Sequence, residues 1–138
     1  MYEVFDHTAD IGLRIRAATL EELFGEAARA LFSLIVMNLG DVEPRERIDF
    51  SVPIRDCEYD YLLCDWLNEL LFAFDSRQML LVKFDVRISS AGLEATAMGE
   101  AIDVARHRLD HEVKAITYHG LKAVQEGGQW LAEVIVDI

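Results

Sequence analysis

Three stretches carry side chains suited to chemistry. Asp6-His7-Thr8-Ala9-Asp10-Ile11-Gly12 puts two carboxylates, an imidazole and a hydroxyl within five positions, between apolar stretches on either side. Such residues are poor material for a core strand. Alone, they read as a hydrogen-bonded turn or bulge between two strands, the common use of Asp, Thr and Gly. Arg106-His107-Arg108-Leu109-Asp110-His111-Glu112 leads into Lys114-Ala115-Ile116-Thr117-Tyr118-His119-Gly120. The last is Asp137-Ile138, where an aspartate and an α-carboxylate follow an apolar strand.

Carboxylates without accompanying cysteines favour a hard cation, Ca²⁺ or Mg²⁺, with water completing the shell. For Asp137 the alternative is a solvated strand end. Histidines serve equally as transition-metal ligands or as acid–base pairs. The spacing of His107, His111 and His119 matches no zinc signature, so they read as surface or turn residues. Cys57 and Cys64 are too few for a disulfide framework, and Cys64 falls among helical core positions. There is no nucleophile elbow, glycine-rich phosphate loop or Walker lysine.

The elements that must position these groups follow from periodicity. Residues 11–17 alternate apolar and basic, as a half-buried strand does. Thr19 and Glu22 form a capping box for a helix reaching about Met37, with Leu20, Leu23, Phe24, Ala27, Ala28, Leu31, Phe32 and Leu34 at three- and four-residue spacing. Residues 45–54 alternate strictly, and Pro53 makes them an edge strand or a strand end. A second helix spans about Glu58 to Phe74. Strands follow: Leu80–Ser89 with Leu93–Val104, then Val113–Gln125 with Gln129–Val136 around Gly127-Gly128. Both faces of the last strand are largely apolar, which makes it a central strand. The whole is α+β, two helices packed on antiparallel sheet, in one domain over residues 1–138.

The charge balance narrows the partners. With 25 acidic and 13 basic residues the net charge is −12, which disfavours tight direct nucleic-acid binding and suits a cation or a protein with a basic surface. No leader, lipidation motif or membrane-length apolar run is present, so the expected location is cytoplasmic.

The opening Tyr2…Phe5-Asp6-His7-Thr8-Ala9-Asp10-Ile11-Gly12, the Lys114-Ala115-Ile116-Thr117-Tyr118-His119 segment and the closing Val134-Ile135-Val136-Asp137-Ile138 together resemble the archease family, in order and end to end. The resemblance implies a fold of nested strand–helix–strand–strand modules. It implies a protein cofactor, not an enzyme: an activator of the tRNA-splicing RNA ligase. Such an activator promotes guanylylation of the ligase's active-site histidine, multiple turnover and broader NTP use. It also implies a divalent cation, Ca²⁺ foremost with Mg²⁺ or Mn²⁺ as alternatives, held by Asp10, Asp137 and Ile138. Asp6, His7, Lys114 and His119 would then belong to the surface offered to the ligase. The competing reading is a small metal-dependent phosphoester hydrolase acting alone, with His7 or His119 as base beside a metal at Asp10.

Overall fold

The computed structural model describes residues 1–7, 10–56 and 58–138; the side chains of Asp6 and His7 lie outside that description, as do Thr8, Ala9 and Cys57. The chain runs β1 (Tyr2–His7), β2 (Asp10–Ala17), α1 (Leu20–Ile35), a 3₁₀ turn at Leu39–Asp41, β3 (Glu46–Pro53), α2 (Tyr59–Arg77), β4 (Met79–Ser89), β5 (Gly92–Ala101), β6 (Ala115–Ile116), β7 (Lys122–Glu126) and β8 (Gln129–Asp137).

Local chemistry sets these boundaries. Thr19 caps α1 by accepting the Glu22 N–H through its hydroxyl at 3.2 Å. The helix stops at Ile35, two residues short of the sequence expectation. There Val36 turns extended and bridges to Leu109, so a tertiary strand contact ends the helix before Asn38 and Gly40 can. α2 runs three residues beyond Phe74 and closes on Gln78, which takes the left-handed conformation (φ 54°) usually left to glycine or asparagine. Gly127 and Gly128, at φ 61° and 80°, make the β7–β8 turn. The strand expected over Val113–Gln125 is broken into β6 and β7, because the chain turns at residues 118–121, where the Leu121 N–H donates to the Tyr118 carbonyl.

Sheet is present on both sides of the helices. One sheet has the order β1-β2-β8-β6, with β7 also paired to β8; the other has the order β3-β5-β4, and all pairings are antiparallel. β8 is therefore central and β3 is an edge strand ending at Pro53, as the sequence predicts. α1 packs on β2 and β8 of the first sheet and on β4 of the second; α2 touches β6 and β7 as well as β3, β4 and β5.

The helices accordingly bury more than one stripe. Trp66 meets Phe50 and Phe84 edge-to-face on the three-stranded side, with centroids 5.4 and 6.4 Å apart, and its indole N–H donates to the Phe24 carbonyl of α1 at 3.0 Å. Tyr59 makes the equivalent contact with Trp130 on the five-stranded side. Fully burying each such large side chain contributes about 1.5–3 kcal/mol. Cys64 is buried in this layer, as its helical position predicts.

Candidate functional site

The β2–β8 register is fixed by apolar faces. Ile11, Leu13, Ile15 and Ala17 pair with Val136, Val134, Ala132 and Trp130, and all but the half-buried Trp130 are buried against the helices. A slip of one residue would turn all of these to the opposite face. The same register sets Asp10 directly opposite Asp137, with Ala115 of β6 on the other side of Asp137. Opposed residues project from the same face with Cβ atoms about 4.5–5.5 Å apart, and like charges so placed destabilise the pair. Both aspartates are half-buried.

The surroundings of the pair are built on main-chain bonds. The Lys114 N–H donates to the Asp137 carbonyl at 2.8 Å, and the Thr117 N–H and hydroxyl donate to the Ile135 carbonyl at 3.0 and 2.9 Å. Ile138 follows Asp137 and packs on the core. On the next row of the same face, Phe5, Gly12 and Ile135 lie side by side. The Phe5 ring crosses Gly12 so closely that a Cβ there would come within 2.1 Å of it, which is why this position needs glycine. Arg14 sits 4.8 Å from the centre of that ring. It also belongs to a charge-alternating ladder across four strands: Glu3–Arg14 3.8 Å, Arg14–Glu133 3.4 Å and Glu133–Lys122 3.6 Å.

Of the residues singled out from sequence, Asp10, Asp137, Ile138 and the backbone of Lys114 converge. The Lys114 side chain is exposed. His119 is exposed on the turn after β6, with its N–H donated to the Thr117 hydroxyl at 3.3 Å. The backbones of Asp6 and His7 pair with Ile11 and Asp10, while the partner-surface role expected of their side chains falls outside the described residues. Among the described residues no group of three or more His, Cys, Asp or Glu side chains converges on one point. Among the described residues, oxygens beyond the aspartate pair would come from the main chain, Ile138 or solvent. Two opposed carboxylates with carbonyl and water oxygens suit a hard divalent cation, which would also relieve their mutual repulsion.

His107 departs from expectation. Read as a surface or turn residue, it is only 3% exposed. Its Nδ1 accepts the Asp103 N–H at 2.9 Å, which leaves the ring proton on Nε2, 3.3 Å from a Glu100 carboxylate oxygen. Glu100, itself 6% exposed, also accepts two bonds from Arg106 (2.7 and 3.1 Å) and the Glu43 N–H (2.6 Å). The Arg106 bonds, then the Glu43 N–H and the His107 bond, hold its carboxyl at about 2 against burial, which acts in the other direction. Asn38 extends the network, donating to the Arg106 carbonyl and accepting the Arg108 N–H, each at 2.8 Å. The signal available in the sequence was a lone acid at the inner end of a small-residue strand, Met98-Gly99-Glu100-Ala101, followed six and seven residues later by Arg106 and His107. His111 is exposed, as predicted.

Known proteins resemble the chain over nearly its whole length. A sequence profile described as the Archease protein family (MTH1598/TM1083) matches residues 2–138. The protein archease of Methanopyrus kandleri is 40% identical, the match covering 99% of each chain. The solution structure of protein 1598 from Methanobacterium thermoautotrophicum superposes with a TM-score of 0.83 at 38% identity, over 99% of this chain and 98% of that one. A Thermotoga maritima crystal structure, described as an archease and possible chaperone, shares the fold at 23% identity, with a TM-score of 0.67 over 100% and 98% of the two chains. The chain belongs to the archease family.

Proposed function

We propose that this protein is a chaperone-like activator of an RNA ligase that seals tRNA halves, speeding transfer of a guanylyl group onto the ligase's histidine and restoring the enzyme for further turnovers. Broader use of nucleotide triphosphates follows from the same assistance. The observation that carries this reading is the opposed pair Asp10–Asp137 in a member of the archease family. In this reading the two carboxylates and Ile138 would hold a divalent cation, Ca²⁺ in first place and Mg²⁺ or Mn²⁺ as substitutes. Asp6, His7, Lys114 and His119 then face the ligase. The cation supplies concentrated positive charge where a triphosphate or the ligase's own metal site is aligned, and positioning of that kind provides most of the catalysis of nucleotidyl transfer.

The net charge of −12 supports docking on a basic, RNA-handling enzyme over docking on RNA itself. The protein adds no nucleophile of its own and acts as a helper in the cytoplasm; no helix among the described residues is long and apolar enough to cross a membrane. The test is a tRNA-half ligation time course with ligase limiting and GTP supplied. Product should exceed one equivalent of ligase only when this protein is present. If the isolated protein instead hydrolyses a phosphoester by itself, in step with metal occupancy, the hydrolase reading replaces this one.

A further inference from the structure

A cavity of about 540 Å³ opens where the C-terminal ends of α1 and α2 meet the segment leading into β6. Its apolar lining is Ile35, Phe74, Val113 and the half-exposed Leu109. Its rim carries Asp75, Asp110 and Glu112 against one lysine, Lys114. Among the described residues none of these three carboxylates is paired with arginine or lysine; Asp110 has only His111, at 3.9 Å. The last turn of α1 contains no basic residue, so the negative end of its dipole is uncompensated by side-chain charge. The walls are firmly held, since the Asp110 and His111 N–H groups donate to the Ile35 and Leu34 carbonyls at 2.8 and 2.9 Å. At one end of the rim, the main-chain N–H of Lys114 donates to the Asp137 carbonyl at 2.8 Å.

An apolar lining with an acidic rim matches a long basic side chain, whose methylene stem packs on carbon while its charged head reaches carboxylates. Arginine fits best, because its planar fork bonds two carboxylates at once, and it is a common anchor of protein interfaces. An enzyme that holds RNA ends and a triphosphate must present such side chains near its active site. We propose that this cavity receives an arginine projecting from the partner protein, anchoring it to this face of the molecule. The identity of the partner rests on the ligase-activator reading; the chemistry of the cavity does not.

Two arms separate these claims. In the first, the full chain is titrated with N-acetyl-arginine methylamide and followed by amide NMR, with the N-acetyl-norleucine analogue as control. Saturable shifts at Ile35 and Leu109–Val113 for the arginine probe, weakened in Asp75→Asn/Glu112→Gln, support the cavity as a guanidinium site. Equal shifts with both probes, equal shifts in both proteins, or no shifts overturn it. In the second, ligase affinity is measured at low and high salt. Asp75→Asn/Glu112→Gln should weaken it by roughly threefold to thirtyfold at low salt, while Glu58→Gln/Asp85→Asn, which removes two charges elsewhere, should not. Equal losses in the two variants, or none, overturn the anchor. Concentration-dependent shifts confined to the cavity would make a second copy of this chain the occupant and overturn the partner arginine. Failure of the unmodified chain to bind ligase sinks the activator reading, and the cavity is then judged by the first arm alone.

Discussion

Replacing Glu100 by glutamine tests the buried network that holds the 102–114 segment. Glutamine keeps the shape and one acceptor oxygen, which can stay on the Glu43 N–H and the His107 Nε2–H, but its NH₂ then faces the Arg106 guanidinium and the negative charge is lost. The His107 side chain is fully buried, so leaving its donor without an acceptor would cost about 1–3 kcal/mol, which favours the orientation that keeps the amide oxygen on it. What is lost is the charge-assisted pairing with Arg106, about 1–3 kcal/mol, less than a broken buried ion pair because the partly exposed Arg106 can hydrate. At 138 residues this corresponds to a fall in Tm of roughly 3–9 °C at neutral pH. The pH dependence has a definite sign. The Glu100 carboxyl sits at about 2 in the folded chain against an ordinary 4.5, so its contribution is complete above about 4.5 and is lost as pH falls toward 2. Thermal melts followed by circular dichroism at pH 7, 5, 3.5 and 2.5 should therefore show the gap between the two proteins closing only below about pH 4.5. A glutamine variant as stable as the original at pH 7, or a gap that stays constant down to pH 2.5, refutes the role given to this carboxylate.

Gly12→Ala should cost about 1–3 kcal/mol in urea unfolding, because its Cβ would enter the Phe5 ring, and Phe5→Leu in the same chain should recover part of the loss. In chelator, Asp137→Asn should be as stable as the original or about 0.2–1 kcal/mol more so, since it relieves the charge facing Asp10. With Ca²⁺ at a hundred times its dissociation constant the order should reverse, the original alone gaining about 2.7 kcal/mol in thermal shift. Trp66→Phe should lose about 1–3 kcal/mol in denaturant midpoint, having left the Phe24 carbonyl without its indole donor.

Periodicity made the helices and most strands legible, because a helix or strand with a buried face must repeat its apolar residues. It could not show how the strands divide into two sheets, since alternation in β3 reads the same whichever sheet it joins. The breadth of the buried surface on α1, where Ala28, Ala30 and Phe32 widen it beyond a single stripe, was the available sign that the helices have sheet on two sides. Asp10 and Asp137 were legible as oxygen ligands by type, but their facing each other depends on a pairing 127 positions apart, fixed by Ile11, Leu13, Val134 and Val136. His107 was misread because spacing rules speak to metal sites and not to a histidine that satisfies a buried glutamate. The break between β6 and β7 was invisible for a related reason: residues 113–125 are apolar enough for one strand, and only the tertiary turn at Tyr118 divides them.

The central claim is that the Asp10–Asp137 pair enables guanylyl transfer to a ligase. Single-turnover guanylylation of that ligase with labelled GTP, with the original chain, Asp10→Asn or Asp137→Asn added in turn, tests it most directly. The account predicts rapid labelling of the ligase with the original chain, most of that stimulation lost with either folded variant, and no label on this protein. Full stimulation by both variants, or label attached covalently to this chain, would contradict it.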